Sequence, residues 1–194
     1  MMIVILTLIL QPHGLKSMPN PLTKNLGQAE YIARIQEQAK QPSPQDRLLD
    51  FLFKEESSSG KNKKAQVKNE KGAKGNYQVT ESFYTEIQAA FPEFANVTFD
   101  QATSVEGGMD RRVANAGTQI KAQQIAGIGV APTPALVATT WLSGAAGLKP
   151  AIAKAMIESR KKKSAAVAPH IADPITKRRM NRATSALSSP QGGN

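Results

Sequence analysis

An all-α domain with flexible N- and C-terminal extensions is the fold class predicted by this sequence, and three observations predict it. Apolar residues recur three and four positions apart in successive blocks. Those blocks open on Ser or Thr before proline or on a hydroxyl cap, and close on glycine. No sustained apolar–polar alternation of period two interrupts them, so no sheet of any size is expected. The 194 residues suit one domain of moderate size plus tails, and 40% hydrophobic with 5% aromatic content suggests a modest core with disordered flanks.

A net charge of +10 points to a polyanionic partner: nucleic acid, an acidic membrane surface or the bacterial wall. The chain has no cysteine, which excludes disulfides and a thiolate site and argues against zinc. Two histidines, His13 and His170, stand far apart and argue against a metal centre or a histidine-based triad. No cofactor and no metal are expected.

Met1 to Leu10 is continuously apolar but too short to span a bilayer as a helix, and it lacks a basic n-region and a convincing cleavage site. A buried or oligomer-contacting segment, sequence ahead of a start at Met18, and a signal-like or membrane-inserting segment all remain open. Residues 11–21 hold Pro12, Gly14, Pro19 and Pro21 and read as a connector, which makes 1–21 an apolar segment with linker. Residues 22–41 are expected to form an accessory helix whose Leu26, Ala29, Ile32, Ala33, Ile35 and Ala39 give one broad apolar face.

The main domain is expected over 42–163. Ser43, Pro44 and Asp46 supply a cap, a first-position proline and a first-turn negative charge for a central helix running to Glu56. Leu48, Leu49, Phe51, Leu52 and Phe53 cover much of its circumference, and Ser57 to Gly60 stop it. The lysine-rich stretch from Lys61 to Lys74 reads either as a solvated lid or as a device that steers an anionic polymer. Thr80 caps a helix with Phe83, Ile87 and Ala90 on one face, closed by Phe91-Pro92. Thr98-Phe99-Asp100-Gln101 has capping-box spacing. Gly107-Gly108 breaks the chain ahead of a long helix from Asp110 to Ala126, with Val113, Ala116, Gly117, Ile120 and Ile125 inward. Thr133-Pro134 starts a further helix carrying Leu136, Val137 and Trp141, and Pro150 to Lys162 the next, with Ile152, Met156 and Ile157 inward. Residues 164–194, with Lys177-Arg178-Arg179, are expected to form a basic flexible tail.

The order helix, Glu56-Ser57, loop, then Gly72-Ala73-Lys74-Gly75-Asn76-Tyr77-Gln78 resembles the active-site region of lytic transglycosylases of the lysozyme-like superfamily, phage virion-associated type. The family pattern is Glu-Ser, a loop, and Ser-x-x-Gly-Ala-x-Gly-x-x-Gln. Asn69 stands where the family has serine, and the loop is longer than the family's. Trp141-Leu142-Ser143-Gly144 takes the place of a late Tyr-Asn-x-Gly or His-x-x-Gly element lining the sugar cleft. The resemblance covers Leu48 to Ala151 and implies a lysozyme-like helical domain.

It also implies Glu56 as catalytic acid and base, with Ser57, Gln78, Tyr77, Gly72, Ala73 and Trp141 around the substrate. A lone tryptophan in a helix is more often a core residue, and that role stands as the alternative. The implied activity is cleavage of the MurNAc-GlcNAc β-1,4 bond of peptidoglycan by one glutamate. Asp100, Glu106 and Asp110 are acids without motif support. Glu55 is not separated from Glu56 by sequence. A raised Glu56 pKa is expected from the helix C-terminus, from Glu55 and from burial against Tyr77 or Phe83, provided the lysines at 61, 63 and 64 point away.

The expected partners are peptidoglycan and other virion proteins of the tail or internal core, with homo-oligomers allowed. The expected location is the virion, acting in the periplasm or cell wall during genome ejection. A catalytically degenerate structural virion protein is the alternative. Weak nonspecific nucleic-acid contact through the basic tail is a third.

Overall fold

The computed structural model describes residues 41–144, 149–162, 167 and 170–188. The chain divides at Gln41/Pro42, and the expected N-terminal segment and accessory helix lie outside the described residues. All the described helices belong to the unit beginning at Pro42.

That unit is all-α. Its helices are α1 (Pro44–Ser57), α2 (Glu81–Ala90), α3 (Phe99–Ala102), α4 (Met109–Gly127), α5 (Pro134–Leu142), α6 (Pro150–Lys161) and α7 (Pro174–Ser188). Short 3-10 turns lie at Lys63–Gln66, Pro92–Phe94 and Glu106–Gly108. The starts follow the capping chemistry in the sequence. Asp46 N donates to Ser43 Oγ at 3.0 Å, Phe83 N to Thr80 Oγ1 at 3.3 Å and Leu136 N to Thr133 Oγ1 at 3.3 Å. Thr98 and Gln101 close a reciprocal capping box. Gly107 and Gly108 take positive φ ahead of α4, a conformation that glycine adopts without the steric cost of a Cβ.

One antiparallel ribbon, β1 (Ala73–Lys74) with β2 (Val79–Thr80), pairs Ala73 with Thr80 and Lys74 with Val79. Two residues per strand are too few to leave a period-two signal, so sequence patterning does not register it. Gly75 turns the ribbon at φ 81°, and a Cβ there would lie 2.8 Å from the backbone oxygen of Thr103. Glycine is thus needed twice over at this position, for its dihedral and for its close approach.

The core gathers the apolar faces of α1, α2, α4, α5, α6 and α7. Leu52, Ile87, Val113, Ile125 and Met156 are wholly buried. Gly117 of α4 lets α5 come close: a Cβ there would sit 2.8 Å from Trp141 Cζ3 and 3.0 Å from Phe83 Cε1. Ala90, expected on the inner face of α2, is exposed, and Tyr84 is buried instead, its hydroxyl donating to Val97 O at 2.8 Å.

The largest departure from the sequence reading is α7. The segment 174–188, expected to be flexible, is a helix packed on α5 and α1. Thr176, Met180 and Ala183 are buried, Leu187 is partly so, and Thr139 Oγ1 of α5 lies 3.0 Å from Met180 Sδ. Asp173 caps its start, accepting from Thr176 N at 2.7 Å. The physical reason is a narrow apolar stripe at spacings of four, three and four, which buries enough surface to order a helix that is otherwise strongly polar. Among the described residues no helix is long and apolar enough to cross a membrane.

Candidate active site

Glu55 and Glu56 occupy the last turn of α1, where the helix stops for a local reason. Ser57 is fully buried, and its Oγ donates to Phe53 O at 2.8 Å and accepts from Gly60 N at 3.0 Å. Ser58 and Ser59 then enter the left-handed region at φ 52° and 58°. Ser57 therefore terminates the helix and holds the next turn, with its hydroxyl committed to backbone.

The two carboxylates differ. Glu55 is ion-paired: Arg182 of α7 places Nη2 3.0 Å from Oε2 and Nη1 3.4 Å from Oε1. The Glu55 side chain is only 16% exposed, so the pair neutralises a mostly buried charge. Glu56 is half-buried, and among the described residues no ion pair reaches it. Burial pushes its carboxyl up to about 7, the Glu55 charge adds to that rise, and the Arg179 guanidinium of α7 works against it. Such a group is protonated in a large fraction of molecules at neutral pH, which is what proton donation to a leaving oxygen requires. An opposing cation comes from the C-terminal helix. Lys61, the one lysine of that trio whose side chain is described, is exposed.

The turn of the ribbon reaches α1 at Phe53, about one turn before Glu56, and is braced from within. Phe53 of α1 packs its ring 6.0 Å from that of Tyr77. Tyr77 is buried, its hydroxyl 3.5 Å from Arg111 Nη1, and burial raises its phenol above the ordinary range. Gln78 adopts φ 49° and its amide is spent on the loop: Nε2 donates to Gly75 O at 2.9 Å and to Ala65 O at 3.2 Å, while Oε1 accepts from Asn69 Nδ2 at 2.9 Å. Asn69, in the place of the family's serine, also accepts from Lys71 N and Ala73 N through Oδ1. Gly72 turns at φ 75° and Ala73 is buried. These residues build the ribbon and commit their polar atoms to it.

Trp141 sits in the core, 6% exposed, edge-on to Phe83 with centroids 5.6 Å apart, and its Nε1 donates to Tyr77 O at 3.1 Å. It ties α5 to the ribbon and has no face open for stacking on a sugar, so the core alternative is the one realised. The further acids are also placed. Asp110 is buried and accepts from Asn76 Nδ2 at 2.8 Å, fastening the ribbon to α4. Asp100 pairs with Lys74 at 2.6 Å, and Glu106 is exposed. Asp46 and Asp50 hold Arg111 at 3.0 and 2.7 Å.

Two open grooves are lined by residues of the lysine-rich loop. One, of about 530 Å³, is lined by residues including Lys68, Lys74, Glu81, Phe99 and Asp100; the other, of about 660 Å³, runs along residues 67–71. Neither is lined by Glu56. Among the described residues no group of three or more potential metal ligands is gathered.

Sequence reasoning missed Arg179 and Arg182, because both lie in the segment read as a tail. The signal was present in Asp173-Pro174 as a capped helix start and in the apolar stripe Thr176, Met180, Ala183, Leu187. Comparison with family models, with characterised proteins and with solved structures gives no match for this chain.

Proposed function

We propose that this chain is a lytic transglycosylase of the lysozyme-like superfamily that cleaves the MurNAc-GlcNAc β-1,4 bond of peptidoglycan. The observation that carries the reading is Glu56: a half-buried carboxyl with its pKa pushed up to about 7, at the end of a helix whose Phe53 packs against Tyr77 in the turn of the Gly72-Ala73 ribbon. Its neighbour Glu55 is tied off by Arg182, which leaves Glu56 as the acid. In this mechanism the Glu56 carboxyl protonates the glycosidic oxygen as the C–O bond breaks. The resulting carboxylate then takes a proton from the sugar's own 6-hydroxyl, whose oxygen closes on the anomeric carbon to leave a 1,6-anhydro end. The muramic acetamido group assists the first step. One carboxyl serves both roles, so no second acid at glycosidase spacing is needed.

The partners on this reading are peptidoglycan and, in a phage virion, tail or internal core proteins. The protein would open the wall locally in the periplasm during genome ejection. A zymogram on purified sacculi, with analysis for anhydro-muropeptides, tests the activity. Wild-type protein should release them and Glu56→Gln should not; equal release by both would remove Glu56 from the chemistry.

A second reading is favoured by two specific observations: the guanidinium charges that act on both carboxylates, and the absence of Glu56 from the lining of either groove. On that reading the chain is a structural virion component that keeps the helical domain without turnover. Absence of anhydro products from the wild-type protein would select it.

A further inference from the structure

The C-terminal helix brings two arginines to the acid end of α1, and they are engaged differently. Arg182 is spent in its paired contact with Glu55. Arg179, one turn earlier on the same face of α7, donates through Nη1 to Leu142 O at the end of α5. A guanidinium carries five N–H donors in a rigid plane, and this bond uses one of them. Among the described residues no carboxylate lies within ion-pair distance of Arg179, and Asp173 is occupied in capping Thr176. Arg179 is half-buried and its charge is felt at Glu56. The Leu142 tether holds a cation, with donors to spare, one helical turn from the Arg182–Glu55 pair at the acid end of α1.

Held there, a cation makes the Glu56 acid stronger than burial alone would allow, which is a liability in a group that must stay protonated. The same charge is an asset if a substrate oxygen is brought to Glu56 within reach of the guanidinium. We propose that Arg179 is a substrate-binding residue of the Glu56 site, and that its remaining N–H groups hold an oxygen acceptor on the muramic residue next to the bond being cut. This rests on the muralytic reading of Glu56. The acceptor is either the acetamido carbonyl or the lactyl carboxyl oxygen, and both suit a planar donor fork. The segment 174–188 is then part of the site.

The test uses the full chain carrying Glu56→Gln, so that glycan is bound and not cut, with calorimetric titration of two probes. Chitotetraose offers acetamido groups without lactyl groups. Amidase-treated glycan strands offer both, with free lactyl carboxylates. Adding Arg179→Gln should weaken binding about tenfold or more, as expected for loss of hydrogen bonds from a charged donor. Loss on both probes assigns the acetamido oxygen; loss on the muramic strands alone assigns the lactyl oxygen. Unchanged affinity for both, in a variant whose thermal midpoint is preserved, overturns the proposal. Arg179→Lys keeps the charge and should recover part of the affinity. If Arg179→Gln fails to fold, the lysine variant decides: affinity equal to that of the parent overturns the proposal, and an intermediate loss supports it.

Anhydro-muropeptide release by the chain with Glu56 intact is measured alongside. Release with no Arg179 effect sinks this inference alone, whereas no release and no binding of either probe removes the muralytic reading and the inference with it.

Discussion

Replacing Glu56 by glutamine should make the folded chain more stable above pH 7 and leave it almost unchanged near pH 4. The carboxyl is raised from 4.5 to about 7 in the folded protein, chiefly because burial penalises its charged form. The folded state therefore holds its proton more tightly than the unfolded state, and the native protein loses stability as pH rises between those two values. The gap between them sets a ceiling of about 3 kcal/mol on the loss. Solvent at the open edge of a half-buried group reduces this to about 2 kcal/mol. Glutamine is nearly isosteric and carries no charge, so it avoids that loss. At pH 8 the variant should melt about 4–8 °C above wild type, taking the shift per kcal/mol usual for a chain of this size. The assay is thermal unfolding of both proteins at pH 4, 6 and 8. The difference between them should open only above pH 5, where wild-type Glu56 begins to ionise on unfolding. A difference that is constant across the three pH values would mean that Glu56 titrates like an exposed side chain. Glu56 would then not be a poised acid, whatever the zymogram shows.

Trp141→Phe should lower stability by about 1–3 kcal/mol, because the buried carbonyl of Tyr77 loses its Nε1 donor. Affinity for chitotetraose should stay as it was; a fall in affinity with the thermal midpoint preserved would return Trp141 to the sugar. Lys121 is wholly buried with its ammonium 4.3 Å from the Phe83 ring centroid, and burial holds its pKa down to about 8. A depressed base is costly to the fold below pH 8, and that cost fades as pH rises towards 10.5, so wild type should gain on Lys121→Met over that interval. Urea midpoints at pH 7 and pH 10 read the change, and a gap that stays level between them would refute it.

How much could be read from the letters depends on the range of the interaction. Ser43, Thr80, Thr98 and Thr133 announced helix starts because a cap bonds a backbone group two or three residues away. Gly107-Gly108 announced the start of α4 for the same local reason. The end of α1 at Glu55-Glu56, which carries the candidate site, was legible too, since Ser57 closes the helix through atoms within four residues. The roles of Trp141 and Gln78 were not legible in the same way. A tryptophan at helical spacing suits a core more often than a cleft wall but does not exclude either, and the approach of Tyr77 O, 64 residues away, decides between them.

By itself, then, the amino-acid order determined an all-α chain, the positions of its helices between residues 44 and 161, and a carboxylate pair at one helix end. Tertiary structure alone decided which of the two carboxylates is neutralised and which is left to titrate near neutrality. That decision comes from Arg182 and Arg179, more than 120 residues further along, on a helix whose apolar stripe is too narrow to order it in isolation. Once α7 is buried against α5 and α1, its two cations arrive at the acid end together. The electrostatics of Glu56 are therefore a property of packing, because charge–charge effects follow distance in space and are indifferent to separation along the chain.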